Sequence, residues 1–276
     1  MADALYGRSW YVIVGDLKVV GLRLKFKAEK SLVKDPNTLD LQIYNLAAAT
    51  RAKMQSRGTE IVLVAGYKGT EQVIFSGKSR TIDHVRDGPS WATHVQCGDG
   101  EDSFRRFTSR SFAPGAAWSD VAKDIARDLM VNAGDALAKL GSGDFKGTFD
   151  TFLQGYTAHG PAVREFDRVM SAAGLEWSIQ DEKLQILTKN KASDERAIVL
   201  SPGTGMVGSP DHGSPKNPKQ PPLLKVKSLL QGGLRPGRAV EVRASKINGF
   251  YRCWKVTHEG DTHGPEWYTS IEAEPL

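Results

Sequence analysis

Residues 22–28 read Leu-Arg-Leu-Lys-Phe-Lys-Ala. Leu22, Leu24, Phe26 and Ala28 alternate with Arg23, Lys25 and Lys27, so an extended chain puts one set on an apolar face and the other on a charged face. The stretch is predicted to be a half-buried β-strand, with the three cations on its solvated side. The alternation returns at Leu39, Leu41 and Ile43, beyond the turn-forming Asp35-Pro36-Asn37. Glu60–Ala65 is a β-branched run behind Ser56-Arg57-Gly58. Gln72–Ser76 and Trp91–Cys97 read as further short strands, set off by Gly77 and by Asp87-Gly88-Pro89. Short strands at regular spacing predict a sandwich or barrel. Asn45–Gln55 interrupts them with helix formers and no Gly or Pro; a short helix across an open end of the barrel is expected.

The pattern changes at Phe112-Ala113-Pro114-Gly115. Trp118, Val121, Ala122, Ile125, Ala126, Leu129 and Met130 then recur at offsets of three and four, the stripe of a helix. Ser119 and Asp120 suit its start, where free N–H groups favour acceptors and negative charge. A second helix is predicted over Pro161–Ala173, with Pro161 at the first turn, Gly174 at the end, and Val163, Phe166, Val169, Met170 and Ala173 facing inward. Leu175–Ile179 and Leu184–Leu187 flank Gln180-Asp181-Glu182-Lys183 as a hairpin. Gly141–Gly160, rich in Gly and Phe, gives no assignment. Ser209–Pro222 carries five prolines, which forbid a ladder or a helix, so an exposed loop or linker is expected. Strands resume at Leu223–Leu230, Ala239–Ala244, Phe250–His258 and Trp267–Ala273.

The expected organisation is mainly β with an α+β insertion: β-barrel domains plus a small helix/hairpin domain. Residues 1–108 form an N-terminal barrel. Residues 109–205 form the insertion, with helices at about 118–133 and 161–173 and a hairpin at about 175–187. Residues 206–222 are a Pro-rich loop, and residues 223–276 supply strands completing a second barrel-like domain. No internal repeat is present.

A length of 276 residues allows about two domains, and 40% hydrophobic with 25% charged content is that of a soluble protein. The net charge of +5 is spread among interleaved acids rather than clustered as in a nucleic-acid binder. Cys97 and Cys253 are too few and too far apart for a disulfide framework and read as free buried thiols. Neither a signal peptide nor an apolar membrane span is read, so folding in a cytoplasm is expected.

Motifs with chemistry are scarce. His258-Glu259-Gly260-Asp261-Thr262-His263 could suggest a metal cluster, but its histidines are five apart, and Glu259-Gly260-Asp261 reads as a hairpin turn. Pro202–Gly208 is Gly-rich without the Lys-Ser/Thr of a phosphate loop. No Gly-x-Ser-x-Gly elbow occurs, and neither cysteine has the setting of a nucleophile. Trp118, Trp177 and Trp254 are expected in cores; Trp10 and Trp267 suit either a core or an interface. No catalytic, cofactor-binding or metal-binding residue is assigned.

Taken in order, Gly21–Ser31, Pro36-Asn37-Thr38 and Ile43-Tyr44-Asn45-Leu46 resemble the opening of phage baseplate hub proteins. Val64-Ala65-Gly66-Tyr67, Ile74-Phe75-Ser76-Gly77, Cys97-Gly98-Asp99-Gly100-Glu101 and Phe112–Gly115 extend the likeness. So do Ser228-Leu229-Leu230, Pro236-Gly237, Gly249-Phe250-Tyr251-Arg252, His258–Thr262 and Trp267-Tyr268-Thr269. Gly134–Gly160 and the proline stretch stand outside it. The resemblance implies a structural protein of contractile phage tails. It implies a homotrimer whose two tail-tube-like β-barrel domains per subunit make a pseudo-sixfold ring between the sixfold tail tube and the threefold central spike. Other baseplate proteins complete the partners, and the central channel is open to the genome. It implies no enzyme activity, no cofactor, no membrane, no sequence-specific nucleic acid, and a place in the virion after assembly in the host cytoplasm. The alternatives are a cell-wall-degrading enzyme of the tail tip, a distal tail ring or tube protein, and a DNA- or polysaccharide-binding module. With β-strands running to Leu276, no appended hydrolase domain is expected.

Overall fold

The computed structural model describes residues 6–54, 57–129, 132–142, 145, 149–213 and 222–276. The chain forms two compact units. Unit 1 takes Met1–Leu32, Asn37–Gly98 and Ala192–Leu276; unit 2 takes Val33–Pro36 and Asp99–Lys191. The chain thus passes between them at Leu32–Val33, Pro36–Asn37, Gly98–Asp99 and Lys191–Ala192; sequence patterning puts the borders of the insertion near 108 and 205.

Unit 1 opens with β1 (Arg8–Val14), β2 (Leu17–Val19), β3 (Leu24–Ser31), β4 (Thr38–Tyr44) and α1 (Ala48–Lys53). β5 (Glu60–Tyr67), β6 (Gln72–Asp87) and β7 (Ser90–Gly98) follow. Unit 2 holds β8 (Phe107–Phe112), β9 (Ala116–Ala117), α2 (Trp118–Asp128), α3 (Gly134–Ser142) and β10 (Thr151–Phe152). It continues with β11 (Tyr156–Pro161), α4 (Ala162–Ala172), β12 (Leu175–Gln180) and β13 (Lys183–Thr188). Unit 1 resumes with β14 (Ile198–Leu200), β15 (Met206–His212) and β16 (Leu224–Leu229), then β17 (Ala239–Arg243), β18 (Asn248–Asp261) and β19 (Trp267–Pro275). The class is mainly β with a small helical complement, as the alternation predicts.

One sheet runs through unit 1 in the order β15-β16-β19-β18-β3-β4-β7-β6-β5-β1-β2, with β17 and β14 branching from β18. The predicted strand at Leu24–Ala28 lies at its centre, Leu24, Phe26 and Ala28 buried and Lys27 in solvent. Two cores share one face of this sheet. The first gathers Leu24, Phe26, Leu41, Ile43, Leu63 and Ile74 with Trp267 from the far end of the chain. The second gathers Leu224, Val226, Val240, Val242, Val256 and Ile271. Around the first core the sheet curls until β1 and β5 meet the β18–β19 hairpin. Closure is made by side chains: the Arg8 guanidinium donates to the carbonyls of Asp261 and Gly264 at 2.9 and 2.6 Å. The Trp267 indole donates to the Gly66 carbonyl at 3.2 Å.

Several local expectations change. Gly77 does not end a strand; β6 continues through it, because a Cβ there would lie 2.5 Å from the Gly98 carbonyl oxygen and only glycine permits that approach. Glu259-Gly260-Asp261 is not the hairpin turn but the last rung of β18, with Gly260 pressed against the Phe26 ring; the turn comes at Thr262–Glu266. Met206–His212 is a strand despite Pro210. Its register with β16 breaks between Val207 and Asp211, so the proline falls in a bulge where no ladder N–H is required. The rest of the proline stretch, residues 214–221, lies outside the described residues. α1 forms where a helix is predicted, yet none of its residues is buried; Leu46 and Met54 on either side anchor it in the first core.

Unit 2 packs α2, α3 and α4 with the β12–β13 hairpin around its own core. Val121, Ile125 and Leu129 are fully buried as the stripe requires; Met130 lies outside the described residues. α4 starts after Pro161 and stacks Phe166 edge-on against Trp177, ring centroids 5.1 Å apart. The hairpin turn places Asp181 and Glu182 at φ 54° and 62°, a left-handed pair costly for side-chain residues. The fully buried Asp99 offsets that cost: its carboxylate accepts the backbone N–H groups of Asp181 and Glu182 at 2.6 and 2.7 Å. The turn after β3 groups here too, with Lys34 ion-paired to Asp167.

Candidate assembly surface

Alternation along the central strands sends every second side chain of unit 1 to the face opposite the two cores. That face carries Lys225 and Lys227 on β16, Glu272 on β19, Lys255 and Glu259 on β18, and Lys27 and Glu29 on β3. Asp40 and Gln42 on β4 and His94 and Gln96 on β7 extend it. Register sets opposite charges across the strands. Lys27 reaches Glu259 at 3.9 Å, Lys255 reaches Glu29 at 3.1 Å, and Lys225 reaches Glu272 at 3.9 Å; along β3 itself Lys27 meets Glu29 at 2.8 Å. The hydrogen bond from Lys27, and then the Lys255 contact, hold the Glu29 carboxyl below the usual range against the effect of burial. A shallow cleft of about 380 Å³ lies beside β15, lined by Ser209, Asp211, Lys225, Lys227, Lys255 and Glu272. Its lysines are engaged: two are ion-paired, and Lys227 sits 4.1 Å from the Tyr268 ring centroid. The result is a broad, polar, internally neutralised wall.

The edges of this sheet are as telling as its face. Among the described residues β6 bonds to β5 only through Gln72–Lys78, so Thr81–Asp87 has no strand neighbour on its outer side. The path itself ends at β2 and β15, and among the described residues β15 has no strand neighbour beyond β16. From β15 to β6 every neighbour is antiparallel. The outer edges of β15 and of distal β6 therefore face away from each other on strands of opposite direction.

The motifs singled out in the sequence do not converge on a reactive centre. On β18 the side chains alternate, so His258 points into the core while Glu259 points to solvent. His258 shares a 2.9 Å hydrogen bond with the buried Thr269 hydroxyl, and His263 lies beyond the strand beside Thr262. Burial first, then the charge of Lys30, push the His258 ring down to about 3. Pro202–Thr204 is a single tight turn capped by Ser201. Cys97 and Cys253 are buried, their thiols pushed up to about 12 by burial. Trp118, Trp177 and Trp267 are core residues, whereas Trp254 sits half-buried at the β18 bulge and Trp91 stands 36% exposed. No cluster of three His, Cys, Asp or Glu side chains suited to a metal occurs among the described residues. Sequence reasoning missed these outer edges, because a strand's neighbours are not written in its own residues.

No family model matches the chain, and no curated protein matches it by sequence. Solved structures do. A tail protein from Neisseria meningitidis MC58 superposes with a TM-score of 0.68 at 10% identity, over 98% of this chain and 97% of that one. The 43 kDa tail protein of prophage MuSo2 from Shewanella oneidensis gives 0.67 at 10% identity, over 98% of both. The E. coli c3393 protein, a type VI secretion component described as similar to the T4 tail proteins gp27 and gp5, gives 0.66 at 12% identity, over 96% of this chain and 76% of that one. These matches span both units, and together they show that the chain shares the fold of these phage tail proteins and of the type VI secretion component.

Proposed function

We propose that this protein is the structural hub of a phage baseplate. Three copies join head to tail into a ring between the sixfold tail tube and the threefold spike, and the polar face of unit 1 bounds the channel. The observation that carries this reading is the pair of outer edges on β15 and distal β6. A copy placed beside another can set β15 against the distal half of β6 with the antiparallel alternation unbroken and both cores on the same side. Repetition of one heterologous contact closes a ring when the rotation allows it, and closure removes the exposed edges that invite aggregation. The edges are offset along the strands: the rung through Val207 reaches β6 at Lys78, below Thr81–Asp87. Joining them staggers successive copies, as closing a sheet into a barrel requires. The internally paired charges of the face suit a wall that polyanions pass without adhering. The fold likeness to tail proteins and to a type VI secretion component supports the same role, in the virion and without catalysis. Copy number in the assembled particle tests it. Three copies per tail tip are expected; six, with no threefold spike below, would make the protein a tube or distal ring component instead.

A further inference from the structure

Several of the eleven guanidinium groups of unit 1 are ion-paired within the chain: Arg23 with Asp261, Arg235 and Arg238 with Glu195, Arg243 with Glu241, and Arg252 with Glu274. At the tip of the β6–β7 hairpin two others stand together. Arg51, from α1, and Arg86, from β6, hold their guanidinium carbons 4.7 and 5.8 Å from the ring centroid of the same residue, Trp91. Neither meets a carboxylate among the described residues. Arg51 spends one N–H on the Leu46 carbonyl at 2.6 Å, and Arg86 reaches the Gly88 carbonyl at 3.4 Å. Most of their donors remain available.

The backbone that carries the indole is held in place. Asn45, at φ 56°, donates its backbone N–H to the Trp91 carbonyl at 2.7 Å and accepts the Trp91 N–H on its side chain at 3.0 Å. This fixes the hairpin tip to the end of β4, so a ligand meets a set arrangement and pays little ordering entropy. Exposed tryptophan flanked by arginine is the composition that dominates binding energy at protein interfaces. Guanidinium planes lying on an aromatic ring still offer paired N–H donors to a carboxylate.

We propose that Arg51, Trp91 and Arg86 form a docking site for an acidic segment of another protein, whose carboxylates supply the counter-charges this chain withholds and whose apolar side chain covers the indole. It deepens the hub reading by naming the chemistry of a partner, and rests on that reading only in expecting the partner to be a tail component. A protein segment fits better than DNA. Asp83 and Asp87 lie on the same hairpin, and a duplex long enough to bind by counter-ion release would be laid across them.

The test is calorimetric titration of the full chain with a blocked peptide of alternating glutamate and leucine, beside a short DNA duplex. Replacing both arginines, Arg51→Gln with Arg86→Gln, is expected to weaken the peptide roughly tenfold or more, the scale of losing an interface hot spot. Trp91→Phe should weaken it to a lesser degree. Arg243→Gln, which removes an exposed but ion-paired guanidinium, should leave it unchanged. Arg86 is exposed whereas Arg51 is partly buried and bonded to Leu46, so Arg86→Gln alone is titrated beside the double variant and should weaken the peptide with the melting temperature unchanged. Failure of the native chain to bind the peptide, equal affinity in the double variant, or loss confined to the duplex would each overturn the proposal. Copy number plays no part in this measurement, so its failure leaves the ring untouched.

Discussion

His258 lies where the two cores of unit 1 meet, with Lys30 buried nearby and donating to the Ile74 carbonyl at 3.2 Å. Its ring is held neutral far below the ordinary histidine value of about 6.5. The unfolded chain binds a proton there as pH falls below about 6.5, while the folded chain refuses one until about 3. Stability should therefore be full above that window and fall steadily through it, by up to several kcal/mol at the lower end. Asp261 adds a second loss lower down. Burial alone would raise its carboxyl, but the Arg23 hydrogen bond and the His263 N–H outweigh that and bring it to about 2, so its contribution fades as pH drops from about 4. Replacing the ring, His258→Gln, should flatten the dependence of melting temperature on pH between 6.5 and 4 whatever it does to the absolute value. An unchanged slope would mean that the acid sensitivity arises elsewhere.

At the scale of elements, α2 and the β12–β13 hairpin give the sharpest expectations. Ile125→Ala should cost about 2–5 kcal/mol by denaturant titration, since the side chain is wholly enclosed. Asp99→Ala leaves two left-handed turn residues without their acceptor and should cost about 3 kcal/mol. Hydrogen exchange at Asp181 and Glu182 should accelerate first. The hydrophobic period made these elements legible: Leu24, Phe26 and Ala28 spell a strand, and Val121, Ile125 and Leu129 a helix face. The partners were not legible. Nothing in Lys27 foretells Glu259, more than 200 residues away, yet their strands pair. Pro210 and Gly77 are read from local sequence as breaks, and each is absorbed by a feature that needs a neighbour to be seen, a bulge in one case and a close backbone approach in the other. α3 escaped because glycine at 134 and 141 masks its short apolar stripe. The two cations over Trp91 come from α1 and β6 and converge on it only in the fold.

At the scale of the whole molecule, the ring makes a geometric demand. Cysteine pairs that place one residue in Thr81–Asp87 and one in Val207–Asp211, such as Val85→Cys with Ser209→Cys, should cross-link between copies and give a covalent ladder ending at three. The native thiols are buried and should not compete. A ladder absent from every such pair in a trimeric particle would place the contact on other edges. The shared sheet also has a mechanical consequence. Ladder bonds lie across the strands, so a pull along β18, bonded to β3, β17 and β19, strains many rungs in shear at once. A pull across the strands opens them singly, like a zip. Single-molecule stretching should find the unit stiff along its strands and compliant across them, and a thrust delivered down that direction would pass through unit 1 with its rungs sharing the load.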